Sequence, residues 1–458
     1  MGTVKLEPIA PCHLVALPYP GRGHINPMMN LCKLLASKKH DLLITFVVTE
    51  EWHGFIGADP KPDNIRFAMV PNVIPSELGR AKDFPGFVEA VCTKLQEPFE
   101  LLLDRLEPEV SFIVADPFVV WAVRVGNKRN IAVASLWPMS ASVFSTLHHF
   151  ELLKENGHFP ADVSVRGDEV IDYIPGISTT RLADLPTVFY DDVQQVLNRA
   201  LEAVSSTYKA QYLISTSFYE LEPHAFDTLR AKLSSPVYPI GPSIPHFEIS
   251  KGAHDNDLNY LHWLDSQPKS SVMYVSLGSF LSVSNAQMDE IIAGVKNSGV
   301  RFLWVARGDA SKLKDGVGDM GLVVPWCDQL GVLCHSSIGG FWSHCGWNST
   351  QEAVYAGLPV LTFPIFFDQI PNGKQIVEDW KIGYRVKKKK VGGGDIVTRE
   401  EIAELLQRFM DVESNEGKEV RKRAKQLQET CQGAIAKGGS SDSNLDAFIK
   451  NISRGYSP

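Results

Sequence analysis

Short apolar runs alternate with amphipathic stretches along most of this chain, a rhythm that predicts parallel βαβ units. In the first half the strand-like runs are His13–Tyr19, Leu42–Thr49, Ile65–Val70, Ser111–Asp116, Ile131–Leu136 and Tyr212–Ser217. Helices are predicted between them, most clearly over Met28–Ser37 and Phe84–Leu106. The second half repeats the rhythm with Val272–Ser279, Phe302–Ala306, Leu322–Pro325, Gly340–Ser343 and Val360–Phe363. In the middle, Pro239-Ile240-Gly241-Pro242-Ser243 leads into His254-Asp255-Asn256-Asp257, a polar linker marked by Pro and Gly. No short-period repeat interrupts the pattern.

The expected fold class is α/β, with two doubly wound, Rossmann-like domains facing each other across a cleft. The expected limits are 1–243 for the first domain, 244–257 for the linker and 258–440 for the second domain. Beyond Ser440, SSDSNLDAFIK reads as a capped helix, and 441–458 is expected to pack back on the N-terminal domain. Ligands of such a fold sit at the carboxyl ends of the strands, inside the cleft.

Composition adds bounds. A length of 458 residues is too much for one typical core and suits two or three domains. The apolar fraction of 44% and charged fraction of 21% are those of an ordinary soluble protein. A net charge of −8 and a pI near 5.9 argue against nucleic acid as a partner. The run Lys387–Lys390, ahead of Gly392-Gly393-Gly394, reads as a solvated loop. Cys12, Cys32, Cys92, Cys327, Cys334, Cys345 and Cys431 are scattered, odd in number and free of CxxC spacing, which suits thiols in a reducing compartment and gives no metal site. The N-terminus MGTVKLEPIAPC lacks the apolar core of a signal peptide, and no stretch approaches a membrane span. The sequons at Asn348 and Asn451 are therefore read as chance, and a cytoplasmic protein without integral membrane association is expected.

Several chemistries are excluded by what the chain lacks. There is no HExxH, Walker loop or GxSxG elbow. Asp255-Asn256-Asp257 is a DxD, but it lies in the linker with no strand before it, so it reads as solvated polar residues. What remains is concentrated between Trp326 and Gln369, in WCDQLGVLCHSSIGGFWSHCGWNSTQEAVYAGLPVLTFPIFFDQ. Trp326 offers an aromatic stacking surface. His344, Asn348 and Ser349 stand at a helix start, Glu352 lies inside that helix, and Asp368-Gln369 closes the block. Any one of these residues fits an ordinary αβ unit, but core packing explains none of the polar choices together.

The first βα turn, Gly21-Arg22-Gly23-His24-Ile25-Asn26-Pro27, begins like a dinucleotide fingerprint, although Asn26 replaces the third glycine. With Thr49-Glu50-Glu51 ending the second strand, this segment leaves an NAD(P)-dependent oxidoreductase open. An isolated histidine is more often structural. At the first turn beside the cleft, however, His24 suits proton transfer. Asp116, ending the strand SFIVAD, could be only a helix cap; across neighbouring strand ends from His24, it becomes the carboxylate that orients the imidazole.

The block, together with GRGHINP, IPGISTTRLADLP (Ile174–Pro186), YPIGPS and VMYVSLGS, resembles the plant secondary-product UDP-glycosyltransferases, inverting enzymes of glycosyltransferase family 1 with the two-domain GT-B fold. The resemblance spans nearly the whole chain. It implies that His24 is the general base for an acceptor hydroxyl and that Asp116 stands behind it. It also implies that Trp326 stacks on uracil, that the backbone of Cys327 reads the uracil edge, and that Gln329 and Glu352 hold the ribose. Ser279, His344, Asn348 and Ser349 would receive the diphosphate with the helix N-terminus, so that no metal or other cofactor is needed besides the UDP-sugar co-substrate. Trp347, Asp368 and Gln369 would face the sugar, and the final glutamine resembles glucose users. Two departures stand out. Cys327-Asp328 follows Trp326 where many members have Ala-Pro, which makes that turn less rigid. Pro138 follows Trp137 where many members place a hydroxyl near the sugar, and Ser140 is the nearest hydroxyl.

Phe118, Trp121, Phe144, His148 and Phe189 are candidate acceptor liners, because apolar rings suit an aromatic or terpenoid aglycone. The overall expectation is a monomeric UDP-glucose-dependent transferase acting on small apolar alcohols, phenols or carboxylic acids. The alternatives are the oxidoreductase and a catalytically silent sugar-nucleotide binder.

Overall fold

A computed structural model describes residues 12–190, 194–249, 259–278, 283–306, 320–386 and 396–453. Its first sheet contains β1 (His13–Leu17), β2 (Leu43–Thr49), β3 (Ile65–Val70), β4 (Phe112–Ala115) and β5 (Ala132–Trp137). After a small antiparallel hairpin of β6 (Val170–Ile171) and β7 (Thr180–Arg181), β8 (Tyr212–Ser215) and β9 (Val237–Pro239) complete that sheet. The order is β3-β2-β1-β4-β5-β8-β9, parallel throughout. The second sheet uses β10 (Val272–Ser276), β11 (Arg301–Val305), β12 (Gly321–Val324), β13 (Ile338–Ser343), β14 (Val360–Thr362) and β15 (Gly383–Arg385). Its order is β12-β11-β10-β13-β14-β15, also parallel. In both sheets the order reverses beside the first strand, and the crevice at such a reversal is where open α/β sheets bind ligands.

The apolar runs became strands because both faces of each sheet are covered. Residues Leu14, Ala16, Ile44 and Phe46 sit in one core cluster, and Val15, Val47 and Ile113 in another. β9 and β15 were not legible as strands. Each is a three-residue edge strand, too short to show a period, and Pro239 is tolerated because it ends an edge strand.

Two helix boundaries differ from expectation, and a proline lies near each. The predicted helix Phe84–Leu106 is two helices, Phe84–Lys94 and Gln96–Leu103. Pro98 has no N–H to bond the Lys94 carbonyl, so the first helix stops there. Conversely, the first βα turn is already helical: the helix Arg22–Lys38 contains Pro27 and starts well before Met28. Pro27 leaves the Gly23 carbonyl without its intrahelical donor, and Asn348 Nδ2 from the other domain donates to that oxygen at 3.2 Å.

The last helix, Ser440–Ser453, lies on the first sheet. Leu445, Phe448 and Ile452 join the cluster of Leu14 and Phe112, with the Phe448 and Phe112 ring centroids 5.8 Å apart. Lys38 pairs with Asp442 at 2.5 Å and Asp446 at 2.6 Å, and Asn444 Nδ2 donates to the Pro239 carbonyl at 2.8 Å. Among the described residues no helix is long and apolar enough to cross a membrane.

Candidate active site

The facing carboxyl ends of the two sheets enclose a cavity of about 590 Å³ lined from both sides. On the first side, β1 and β4 are hydrogen-bonded neighbours with Leu17 opposite Ala115. The residues just past their ends therefore converge. Asp116 is 2% exposed, its Oδ1 accepts the Phe118 N–H at 2.9 Å, and its Oδ2 lies 2.7 Å from His24 Nδ1. An ionised carboxylate can only accept, so Nδ1 carries the proton and Nε2 of a neutral imidazole keeps its lone pair. The His24 ring lines the cavity and packs beside Tyr19, with centroids 4.9 Å apart, and against the edge of Phe118 at 5.7 Å. This arrangement can accept a proton at Nε2 and hold the resulting charge against Asp116.

On the opposite side Trp326, Cys327, Gln329, His344, Trp347, Asn348, Ser349, Glu352, Asp368 and Gln369 all line the same cavity. Trp326 is 60% exposed, an open ring face of the kind a base can stack on. Asp328 caps the helix Gln329–Leu333 by accepting the Gly331 N–H at 3.2 Å, and its own N–H donates to the Tyr260 hydroxyl at 3.1 Å. These two bonds fix the turn that lacks a proline. Gln329 Nε2 donates to Ser349 Oγ at 2.9 Å and also to Glu352. Burial pushes the Glu352 carboxyl up to about 7.

The helix Trp347–Ala356 begins after Gly346 with no side-chain cap, so its first N–H groups remain available to an anion. His344 sits beside it. A Cβ on Gly278 would stand 2.8 Å from the imidazole and one on Gly346 only 2.5 Å from it, so both positions must be bare. Burial lowers His344 to about 4, which leaves it neutral near pH 7, and its Nδ1 has no hydrogen-bond partner among the described residues. Asp368 accepts from Asn372 Nδ2 at 2.8 Å, and burial raises its carboxyl to about 6. Gln369 Oε1 accepts the N–H groups of Ile365 at 2.9 Å and Phe366 at 3.1 Å, which leaves the amide nitrogen as its donor group.

Ser279, the DxD at Asp255–Asp257 and the basic run Lys387–Lys390 lie outside the described residues. Of the candidate acceptor liners, only Phe118 borders the cavity. Trp121 is 2% exposed and donates to the Val91 carbonyl at 3.1 Å, inside the first domain. Phe144 is fully buried against Trp137, and Phe189, 4% exposed, stacks on Phe150. His148 pairs with the Tyr208 hydroxyl away from the cleft. Each looked suitable by ring chemistry alone, but helix direction turned each one away from the cleft. Ser140 is also withdrawn: it is fully buried, and its Oγ caps the helix Ala141–His148.

Several cavity residues carried no motif. Phe84 and Val88 from the helix Phe84–Lys94, Val196 from Gln194–Thr207, and Pro138 and Met139 after β5 form the apolar wall. Tyr274 in β10 is 1% exposed, and its hydroxyl donates to Gln329 Oε1 at 3.0 Å, which turns the Gln329 nitrogen toward Ser349 and Glu352. The available signal for Tyr274 was its place near the carboxyl end of a central strand. Glu50 and Glu51, which had kept a dinucleotide ribose open, turn away from the cavity: Glu51 accepts the Glu77 N–H at 2.9 Å and Glu50 that of Asn72 at 3.4 Å. Among the described residues no group of three His, Cys, Asp or Glu could hold a metal ion.

The family model described as UDP-glucoronosyl and UDP-glucosyl transferase matches residues 79–402. UDP-glycosyltransferase 87A1 of Arabidopsis thaliana is 56% identical over 440 residues, covering 96% of this chain and all of the relative. Among solved structures, Os79 from O. sativa in complex with U2F and trichothecene superposes with a TM-score of 0.83 at 28% identity. Phytolacca americana UGT2 complexed with UDP-2fluoro-glucose and pterostilbene gives 0.80 at 26%. Each of these two covers 96% of this chain and all of the other. The fold, cleft and sequence together make this chain a member of the UDP-glycosyltransferase family, with two Rossmann-like domains in the GT-B arrangement.

Proposed function

We propose that the protein transfers glucose from UDP-glucose to a hydroxyl of a small, largely apolar acceptor, inverting the anomeric centre to give a β-glycoside. The observation that carries this reading is the His24–Asp116 pair at 2.7 Å, set across the cavity from Trp326–Gln369. The acceptor O–H gives its proton to His24 Nε2, and the oxygen attacks the anomeric carbon from the face opposite UDP. The bond between that carbon and the phosphate oxygen breaks, and its electron pair leaves with UDP. Asp116 stabilises the imidazolium, and the bare N–H groups at Trp347–Ser349 with His344 stabilise the departing diphosphate.

In this assignment Trp326 and the Cys327 backbone bind uracil, Gln329 and Glu352 bind ribose, and Trp347, Asp368 and Gln369 face the sugar. Ser279 keeps its assignment to the phosphates on sequence grounds alone. The wall of Phe84, Val88, Phe118, Met139 and Val196 suits a flat or terpenoid aglycone. The UDP-2fluoro-glucose and pterostilbene complexed with Phytolacca americana UGT2 fit that donor and acceptor class. We place the domain limits at 1–243, 258–440 and 441–458, and the enzyme in the cytoplasm as a metal-independent monomer. Mass spectrometry of the purified protein with UDP-glucose and a mixed library of phenols and terpenoid alcohols tests the reading. A hexose added to one library member is expected; no adduct from UDP-glucose with any member would overturn it.

A further inference from the structure

We infer that Thr187 is a positioning residue for the donor sugar: its hydroxyl, on the acceptor side of the cleft, holds the opposite domain's loop that carries Asp368 and Gln369. The inference rests on the assignment of those two residues to the sugar.

Thr187 follows ISTTRLADLP, a stretch that supplies no group to the cavity. Its work is across the domain boundary. Asp184, with a side chain only 4% exposed, accepts from Arg181 Nε and from Arg385 of β15, both at 2.7 Å. Glu378 accepts from Arg181 at 3.2 Å and from Arg385 at 3.1 Å. Two arginines and two carboxylates thus alternate in a closed ring, one of each sign from each side. Ser178 Oγ adds a bond to Asp379 at 2.9 Å. This ring sets the segment Ser178–Thr187 rigidly against the second domain.

Three residues after Asp184, Thr187 is 6% exposed and its Oγ1 accepts the Phe367 N–H at 3.0 Å. Phe367 has φ of +52°, a left-handed conformation that non-glycine residues rarely adopt and that its surroundings must maintain. Gln369 Oε1 already collects the N–H groups of Ile365 and Phe366 and so ties the base of the loop. The next donor, that of Phe367, goes across the cleft to Thr187. The loop therefore takes its shape from its own glutamine and its placement from the facing domain. Asp368 and Gln369 follow directly, and a displacement near 1 Å at reacting groups can cost about a hundredfold in rate.

The test compares Thr187→Val, which keeps the shape and removes the acceptor oxygen, with Thr187→Ser, which restores the oxygen. Initial rates with UDP-glucose and calorimetric binding of UDP, which lacks the sugar, are measured on the full chain. For Thr187→Val we expect kcat/KM for UDP-glucose to fall about tenfold with UDP affinity unchanged, and for Thr187→Ser recovery to within about twofold. Wild-type kcat/KM in the valine variant overturns the inference. So does a matching loss of UDP affinity, or a serine variant as impaired as valine. If the wild-type protein transfers no sugar from UDP-glucose, the donor assignment itself fails, a result distinct from a wild-type enzyme that transfers and a valine variant that matches it.

Discussion

The donor wall takes most of its cavity-lining side chains from one stretch, Trp326–Gln369, whereas the acceptor wall draws Tyr19, Phe84, Val88, Phe118, Met139 and Val196 from five separate segments. The donor wall is polar and bonded to itself: Tyr274 holds Gln329, Gln329 holds Ser349 and Glu352, and Asn372 holds Asp368. The six side chains of the acceptor wall are ring or aliphatic groups shaped by packing, while the charged and polar residues of the same domain that border the cavity, His24 and Arg80 and also Arg22, Asn26, Asn30, Lys33, Asp59 and Arg199, come from other positions. A nucleotide presents a fixed set of donors and acceptors, so its site must be polar and preorganised, and one βα unit with its neighbouring turns supplies most of it. An apolar aglycone offers area, which any ring or branched side chain can cover, so many sequences serve equally well.

His24→Ala breaks the comparison hardest, since it removes the proposed base from the acceptor wall. Transfer should fall by about 10² to 10⁴, the usual worth of a positioned base, with UDP affinity unchanged by calorimetry. Wild-type-like turnover with an alcohol acceptor would remove His24 from the reaction.

A pair of phenylalanines separates wall from core. Phe144→Ala should cost about 3–5 kcal/mol of stability, because Phe144 is fully buried against Trp137, and thermal melts read that directly. Phe84→Ala should instead raise the acceptor KM, by up to about tenfold, with a smaller effect on the donor KM, since Phe84 borders the cavity. A reversed pattern would mean that the cavity wall has been drawn in the wrong place.

On the donor wall, Glu352→Ala should weaken UDP-glucose binding by about ten- to a hundredfold, the range for hydrogen bonds to a charged group. The smallest effect concerns pH. Burial holds the Glu352 carboxyl near 7, so it is neutral below that pH and ionised above it. The ionised form accepts ribose hydroxyls more strongly, so UDP-glucose affinity should rise several-fold as pH climbs through 7. UDP-glucose is the proper probe because its diphosphate does not titrate there. In Glu352→Gln the step near 7 should vanish, while any step nearer 6, set by Asp368, should persist.

Much of this architecture was legible because parallel strands covered on both faces must read as apolar runs, and eleven of the larger sheets' strands did so. That the residues of Trp326–Gln369 gather on one cavity wall was legible for a related reason. Their spacing within one βα unit is set by local geometry, so strand end, bare helix start and ring Trp326 had to fall where they do. The edge strands β9 and β15 were not legible, since three residues carry no period. Nor were the break in the long helix, where Pro98 overrides the apolar pattern, and the start of the first helix at Arg22, which runs through Pro27.

By itself, the sequence determined the α/β class, the gathering of Trp326–Gln369 on one wall of the cleft and the pairing of His24 with Asp116. These depend on short-range rules: period, strand ends, and bare N–H groups at helix starts. Tertiary structure alone decided which rings face the cleft. Phe118 and Phe144 are chemically identical, and only the direction of their segments sends one to the cavity and the other to the core. It also decided how the halves lock, through Gly23 with Asn348 and Thr187 with Phe367, pairs of residues at least 180 positions apart. No local rule reaches that far along a chain, whereas packing two sheets face to face does.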